Sequence, residues 1–124
     1  MMFLDTHVVV WLYQKDRLRF SSLALQLLDS TELRLSPVVA LELEYLFEIG
    51  RLSERSQPIL HFLERNIQLK IDDCSLQTLV AGALDAKWTR DPFDRLITCH
   101  AELRNAPLLT KDETILAHYR HARW

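Results

Sequence analysis

The sequence predicts an α/β domain with a mainly parallel central sheet. Short apolar segments alternate along the chain with longer segments of helical periodicity, and this alternation is typical of such a sheet. The chain of 124 residues suits one domain at 1–124, and it contains no glycine- or serine-rich linker and no internal repeat. Hydrophobic residues make up 48% of the chain and charged residues 26%, so the composition allows a sizeable core.

The first third of the chain is predicted to form two strands and two helices. Its opening apolar residues stop at Asp5, and apolar positions with helical spacing follow. Ser21 or Ser22 is a suitable N-cap for a second helix, and a charged loop precedes it. The predicted elements are a strand at 3–4, a helix at 6–13, a loop at 15–19, a helix that carries Leu23, Leu27 and Leu28, and a strand at 32–36.

The middle of the chain is predicted to form two helical regions and a strand. Ser36 and Pro37 have the pattern of an N-cap followed by proline at the first helical position, and Gly50 is a C-terminal stop signal. The predicted elements are a helix from Pro37 to Ile49, a helical region from Ser53 to Glu64 that is interrupted near Pro58, and an alternating strand at 67–71.

The last third is predicted to form three helices and two strands. Ser75 and Asp112 are suitable N-caps, and Asp91 stands directly before the proline that begins another helix. The predicted elements are a helix after Ser75 that reaches Leu84, a helix from Pro92 to about Asn105, a strand at 108–109, a helix after Asp112 and an edge strand at 122–124.

Four acidic residues are the main candidates for function, and they are Asp5, Glu42, Asp94 and Asp112. In parallel sheets ligands bind beyond the carboxyl ends of the strands, and Asp5 and Asp112 lie at or just past such ends. Carboxylates that share a pocket repel each other, and a fold that gathers them usually holds a hard divalent cation. The sequence therefore predicts a metal site made of these four side chains.

Each acid also has a structural alternative. Glu42 lies among apolar helix neighbours, where an unpaired carboxylate is costly, but it could reach solvent or an arginine from elsewhere. Asp94 could form a capping box with Asp91, and Asp5 and Asp112 could be plain N-caps. Three hydroxyl residues beside the acids could orient their carboxylates, namely Thr6, Ser36 and Thr110.

Other features narrow the class of protein. The net charge of −2 argues weakly against nucleic-acid binding, although cations in a carboxylate pocket would change the local sign. Cys74 and Cys99 are isolated, which predicts reduced, half-buried thiols in a cytoplasmic protein without a disulfide or a zinc site. No apolar run approaches the length of a membrane span, and no signal-peptide pattern opens the chain.

Four segments of the chain together form a specific pattern. They are Phe3-Leu-Asp-Thr-His with Trp11, Ser36 through Glu42, Asp91-Pro-Phe-Asp-Arg95, and Leu108-Leu-Thr-Lys-Asp-Glu113. In this order and at roughly this spacing they resemble the PIN-domain ribonucleases, in particular the VapC-type toxins of toxin–antitoxin pairs. The resemblance extends over essentially the whole chain. One departure is His100, which stands where small or polar residues are more usual.

The resemblance implies a three-layer α/β/α fold and an endoribonuclease that depends on Mg²⁺ or Mn²⁺. The ions would be held by the four acids named above, with Thr110 supporting them by hydrogen bonding and Asp91 as a further, supporting acid. The resemblance also implies a homodimer and a small cognate antitoxin that covers the active site. Cleavage by metal-activated water would leave 5′-phosphate and 3′-hydroxyl ends on the RNA.

Two further expectations and two alternatives remain open at this point. Lys15, Arg17 and Arg19 follow the first helix and could hold RNA phosphates, and His7 could line the pocket. One alternative is a catalytically silent binding module in which the acids are only helix caps. The other is a Mg²⁺-dependent phosphotransfer or phosphatase domain, which the histidine at position 7 disfavours because haloacid-dehalogenase-type phosphatases need an acid there.

Overall fold

Five parallel strands form the centre of this protein, as a computed structural model that describes residues 1–124 shows. The strands are β1 Met2–Leu4, β2 Leu33–Leu35, β3 Lys70–Ile71, β4 Leu108–Leu109 and β5 Ala122–Arg123. The helices are α1 Thr6–Tyr13, α2 Ser22–Ser30, α3 Pro37–Glu48, α4 Ser56–Ile67, α5 Leu76–Ala83, α6 Pro92–Leu103 and α7 Glu113–His118. The predicted α/β class with a parallel sheet is therefore confirmed.

The sheet has the strand order β3-β2-β1-β4-β5, so the direction of winding reverses between β1 and β4. Leu4 of β1 is in register with Leu109 of β4, and the backbone amide of Asp5 donates to the Leu109 carbonyl at 3.0 Å. The residues that follow these two strands are therefore neighbours. In open α/β sheets, the crevice at such a reversal point is where ligands bind.

The core contains β1 at its centre, with helices on both faces of the sheet. Met2, Phe3 and Leu4 are all fully buried. Because successive side chains of a strand point to opposite faces, this burial requires cover on both sides and fits a three-layer arrangement. None of the seven helices combines the length and the apolar composition that a membrane span requires.

Three sequence predictions need correction. The predicted break near Pro58 is wrong, because α4 is continuous. Pro58 lies in the first turn of this helix, where backbone amides have no intrahelical acceptor, so the missing N–H of proline costs no hydrogen bond. The strand predicted at 67–71 is shorter, because Ile67 still belongs to α4 and Gln68 ends that helix in the left-handed conformation. The charged loop at 15–19 contains one turn of 3-10 helix at Arg17–Arg19.

Helices α5 and α6 approach closely at Gly82, which leads to a stability prediction. A Cβ atom at this position would lie 2.4 Å from the Sγ atom of buried Cys99, whose thiol donates to the Leu79 carbonyl at 3.5 Å. Gly82→Ala gains about 0.5–1 kcal/mol of helix propensity, but overpacking typically costs about 1–3 kcal/mol. We expect a net loss of unfolding free energy, measured by chemical denaturation.

The matched background for this test is Cys99→Ala, which removes the clashing sulfur. In that background, the addition of Gly82→Ala should be neutral or stabilising, because only the helix-propensity gain remains. An equal loss in both backgrounds would contradict the close approach of the two helices.

Candidate metal centre

The predicted acids meet in one cavity at the carboxyl edge of the sheet. This cavity of about 370 Å³ is lined by all four predicted acids, Asp5, Glu42, Asp94 and Asp112, together with Asp91, Thr6, His7 and Trp11. Asp5 follows β1 and Asp112 follows β4, whereas Glu42 projects from α3 and Asp94 from the first turn of α6. Four separate stretches of sequence therefore contribute carboxylates to the same space.

Asp5 is the most firmly held of these acids. Its side chain is almost fully buried and accepts a hydrogen bond from the Thr6 amide on Oδ1 at 2.8 Å. The Thr110 hydroxyl donates to Oδ2 at 2.6 Å, a contact that joins the ends of β1 and β4. Asp5 is therefore also the N-cap of α1, so the capping alternative and the pocket position are both correct.

Glu42 is fixed by the neighbouring helix. The Thr6 hydroxyl of α1 donates a short hydrogen bond to Glu42 Oε1. Burial raises the pKa of Glu42 to about 7, the Thr6 hydrogen bond opposes that rise, and the negative charges of Asp5 and Asp91 add to it. Glu42 forms no salt bridge, so no cationic side chain offsets its charge directly.

The ionised form of Asp94 is also destabilised in the cavity, and no hydrogen bond from the protein stabilises it. Burial raises its pKa to about 7, and the charges of Asp91, Asp5, Asp112 and Glu42 contribute to the rise in that order. No donor from the protein is among the groups that act on this carboxylate. Asp94 therefore has no structural partner that would explain its place in the pocket.

Asp91 and Asp112 each use one oxygen as a helix cap. Asp91 Oδ1 accepts from the Phe93 and Asp94 amides at 2.8 and 3.2 Å. Asp112 Oδ1 accepts from the Thr114 and Ile115 amides at 2.9 and 3.0 Å. The reciprocal half of the predicted capping box is absent, because the Asp91 amide donates to the Thr89 hydroxyl. The second oxygen of each capping acid accepts no hydrogen bond from the helix that it begins.

The donor set fits a hard divalent cation. The five acids offer only oxygen ligands, and burial, with the negative charge of neighbouring acids, raises the pKa of Glu42 and Asp94 to about 7. In the structure no three carboxylate, histidine or cysteine side chains are close enough to hold one ion in common. An ion would therefore have to draw these carboxylates inward, and Asp94 has no hydrogen bond to lose in doing so.

His7 also lines the cavity, and its ring connects α1 to the loop after β4. The Lys111 amide donates to Nε2 at 2.9 Å, which leaves Nδ1 as the protonated nitrogen, 3.4 Å from Asp5 Oδ2. Burial lowers the pKa of His7, against the opposing effects of Asp5 and Asp112. The ring therefore serves as a neutral bridge between the backbone of the loop and Asp5.

A second buried network lies beside the cavity and was not apparent from the sequence. His100 on α6 is fully buried, with Nε2 2.9 Å from Asp72 Oδ2 and Nδ1 2.9 Å from the Ser36 hydroxyl. Arg104 donates to the same Asp72 oxygen at 2.6 Å. Burial of Asp72 opposes its ionisation, but the hydrogen bonds from Arg104 and His100 outweigh this effect and lower its pKa.

This Asp-His-Ser chain is structural. Ser36 is completely buried, so no substrate can reach its hydroxyl, which also accepts from the Val38 amide as the N-cap of α3. Ser36 was expected to orient a pocket acid, but its hydrogen bond to His100 shows that this expectation is wrong. The network instead fixes the start of α3 against α6, the two helices that carry Glu42 and Asp94.

The three basic residues proposed for RNA contact lie outside the acidic cavity. Lys15 and Arg17 line a separate groove of about 560 Å³ that shares Trp11 with the acidic cavity. The Lys15 ammonium is 5.7 Å from the ring centre of Phe62, and Arg19 is paired with Asp16 at 2.8 Å. Their contact with RNA stays a prediction.

Comparisons with known proteins agree with this architecture. A sequence model of the PIN domain family matches residues 2–121. The fold is similar to that of the VapBC2 complex from Rickettsia felis bound to a DNA fragment from its promoter, with 25% identity over 94% of this chain and 92% of that chain and a TM-score of 0.65.

Two further structures share the fold at lower identity. A toxin–antitoxin complex from Klebsiella pneumoniae is 16% identical over 100% of this chain and 97% of that chain, with a TM-score of 0.68. FitAcB from Neisseria gonorrhoeae is 18% identical over 98% and 95% of the two chains, with a TM-score of 0.56. No curated protein sequence gave a significant match.

Proposed function

This chain belongs to the PIN domain family, and we propose that it is a metal-dependent endoribonuclease, the toxin of a type II toxin–antitoxin pair. The observation that carries the proposal is the convergence of five carboxylates at the reversal point of the sheet, two of them with pKa values of about 7. Crowded, uncompensated carboxylates are costly, and a divalent cation would remove that cost.

Asp5, Glu42, Asp94 and Asp112 would hold Mg²⁺ or Mn²⁺. When bound, such ions supply Lewis acidity at a phosphodiester and activate a water nucleophile at neutral pH. The chain itself contributes the orientation of the ligands. The Thr6 hydroxyl holds Glu42, and the Thr110 hydroxyl holds Asp5, so both carboxylates are positioned before any ion arrives. Thr6 and Thr110 are therefore positioning residues, with Asp91 as an additional carboxylate at the rim.

Incubation of the protein with a mixed RNA pool tests this function. We expect cleavage in Mn²⁺ or Mg²⁺, no cleavage in EDTA, and products with 5′-phosphate and 3′-hydroxyl ends, which a 5′-phosphate-dependent exonuclease can detect. Products with 2′,3′-cyclic phosphates would contradict the metal-activated mechanism. Absence of both cleavage and a Mn²⁺-induced shift in melting temperature would favour the silent binding module.

The antitoxin is proposed as the protein partner, and the similarity to structures of toxin–antitoxin complexes supports this choice. We propose that the antitoxin binds in the groove of about 560 Å³ beside the site. Its apolar lining is formed by Trp11, Leu12, Phe20, Leu25, Leu28, Leu33 and Ile67. Because Trp11 lines both cavities, a chain in this groove would lie directly beside the acidic pocket. We also propose that this protein and its antitoxin are cytoplasmic.

A homodimer is also part of the proposal. Helices α3 and α5, which both pack on α6, each expose an apolar stripe with helical spacing. The first stripe consists of Leu41 and Tyr45 with Ile49, the C-cap of α3, and the second of Leu76 and Val80 with Leu84, the C-cap of α5. Stripes of this kind on neighbouring helices suit an isologous contact between two copies of the chain.

Sedimentation equilibrium tests the dimer. We expect twice the chain mass for the wild type and the monomer mass for Leu84→Glu, because a charge at the stripe would be buried without a partner. Leu18→Glu is the matched control, since the Leu18 side chain is 98% exposed and lies outside both stripes. A dimer that persists in Leu84→Glu would exclude the α5 stripe as the interface.

A further inference from the structure

Lys111 occupies an unusual position at the rim of the acidic cavity. It stands between Thr110, which holds Asp5, and Asp112, which lines the cavity. Its backbone amide donates to His7 Nε2 at 2.9 Å, so the backbone of Lys111 is tied to a side chain of the site. The position of this residue relative to the carboxylates is therefore set by the same contacts that build the cavity.

The Lys111 side chain reaches two indole rings. Its ammonium lies 6.0 Å from the ring centre of Trp11 and 5.9 Å from that of Trp124, distances at which cations are attracted to aromatic faces. The two indole rings are 5.8 Å apart in an edge-to-face arrangement, and both are partly exposed. We refer to Lys111, Trp11 and Trp124 as the indole ledge.

The charge of Lys111 is available for a ligand. Lys111 is exposed and forms no salt bridge, although it directly precedes Asp112 of the acidic cavity. Its positive charge acts on His7, whose pKa it helps to lower. Arg19 also lies over Trp11, at 5.2 Å, but its guanidinium is already paired with Asp16.

A substrate for this cavity carries a run of negative phosphates past five carboxylates. A cation at the rim would hold a phosphate that the pocket would otherwise repel. Aromatic faces beside a cation are the usual means by which proteins bind single-stranded nucleic acid, because a base that is not paired can stack on them. A fully paired base cannot do so.

We propose that the indole ledge is a subsite for single-stranded RNA, in which Lys111 contacts a phosphate next to the scissile one and an indole face stacks on an unpaired base. This inference rests on the proposed function, because it assigns part of the same substrate. It adds to that function a defined cation at the rim and a defined aromatic surface for an unpaired base. Lys111 is then a residue that binds substrate outside the acidic metal site.

The test measures binding of a single-stranded RNA oligonucleotide by fluorescence anisotropy in Mg²⁺, with each change made in an Asp94→Asn background to prevent cleavage. Trp124→Ala should weaken binding by roughly 5- to 150-fold, the range found for loss of one base–aromatic stack, and Trp124→Phe should restore most of it. Lys111→Gln should reduce the slope of log K against log salt by about 0.7, the value for one phosphate contact to a single strand.

Matched controls come from the same chain. Trp88→Phe changes the tryptophan that stacks on His118 and lines neither cavity, and Lys70→Gln removes an exposed lysine on β3 at the far edge of the sheet. Both should leave affinity and salt slope unchanged. Each ledge variant is checked by its thermal melt, so that a loss of binding cannot come from a loss of folding.

The outcomes separate the two proposals. If the wild type cleaves RNA but the ledge variants keep its affinity and salt slope, the indole ledge is not a substrate site and the nuclease proposal stands. If the wild type neither binds nor cleaves RNA, both proposals fail. If Trp124→Ala weakens binding to a blunt RNA duplex as much as to a single strand, stacking on an unpaired base is wrong. Loss of antitoxin binding alone in these variants would assign the ledge to the protein partner.

Discussion

Replacement of Asp94 by asparagine should lower the rate of RNA cleavage by about 1,000-fold or more. The lost interaction between a carboxylate and a divalent ion at the reacting phosphate is worth several kcal/mol, and each 1.36 kcal/mol is a factor of ten in rate. Asp94 accepts no hydrogen bond from the protein, and its charge is opposed by four neighbouring acids. The fold should therefore tolerate the change, and the ion-free variant should melt at a higher temperature than the ion-free wild type.

The measurement compares single-turnover cleavage rates at saturating Mn²⁺ with melting curves of the same samples in EDTA. Asp85→Asn is the matched control, because Asp85 is exposed between α5 and α6 and lies outside the cavity. A rate within about tenfold of wild type in Asp94→Asn, well below the loss expected for a ligand, would remove this residue from the metal site.

Stability of the ion-free protein should depend on pH in an unusual direction. Glu42 and Asp94 have pKa values of about 7 in the folded state, against values near 4 when unfolded. Between these limits the folded protein binds more protons than the unfolded chain. The contribution of these two carboxyl groups to the free energy of unfolding is therefore complete below about pH 4 and is lost as the pH rises through 7. The melting temperature in EDTA should fall by several degrees between pH 5.5 and pH 8.

His7 acts in the opposite direction, because its lowered pKa means that acidification through its ordinary range favours the unfolded chain. The double variant Glu42→Gln/Asp94→Asn retains His7 and lacks both carboxyls, so its melting profile isolates their contribution. We expect the wild type to lose more stability than the double variant between pH 5.5 and pH 8. Addition of Mg²⁺ should abolish the difference, since ion binding displaces the two protons. Parallel profiles in EDTA would contradict the raised pKa values.

The sequence predicted the acids better than it predicted their contacts. Asp5 and Asp112 follow strands whose apolar runs are easily recognised, and parallel strands place such residues at one edge of the sheet. The contacts that hold the site join distant positions, as in the hydrogen bond from Thr110 to Asp5 across 105 residues. No local pattern encodes such a pairing, so the sequence indicated that Thr110 could orient a carboxylate but did not identify Asp5 as its partner.

The contacts that the sequence did not predict also join distant positions in the chain. The bond between His100 and Ser36 spans 64 residues, and the approach of Lys111 to Trp11 depends on the pairing of β1 with β4. The end of α4 was misjudged for a local reason. Alternation over 67–71 fits a strand, but Gln68 adopts the left-handed conformation that ends a helix, a conformation for which glycine or asparagine is the usual signal.

Three helices begin at the acidic cavity, because Asp5, Asp91 and Asp112 are the N-caps of α1, α6 and α7. The aligned peptide dipoles of a helix place roughly half a positive elementary charge at its N-terminus. Three such termini offset part of the repulsion among the carboxylates without any ion. The peptide backbone therefore supplies part of the positive charge that these acids lack, and a bound divalent cation would add to a compensation that the fold already contains.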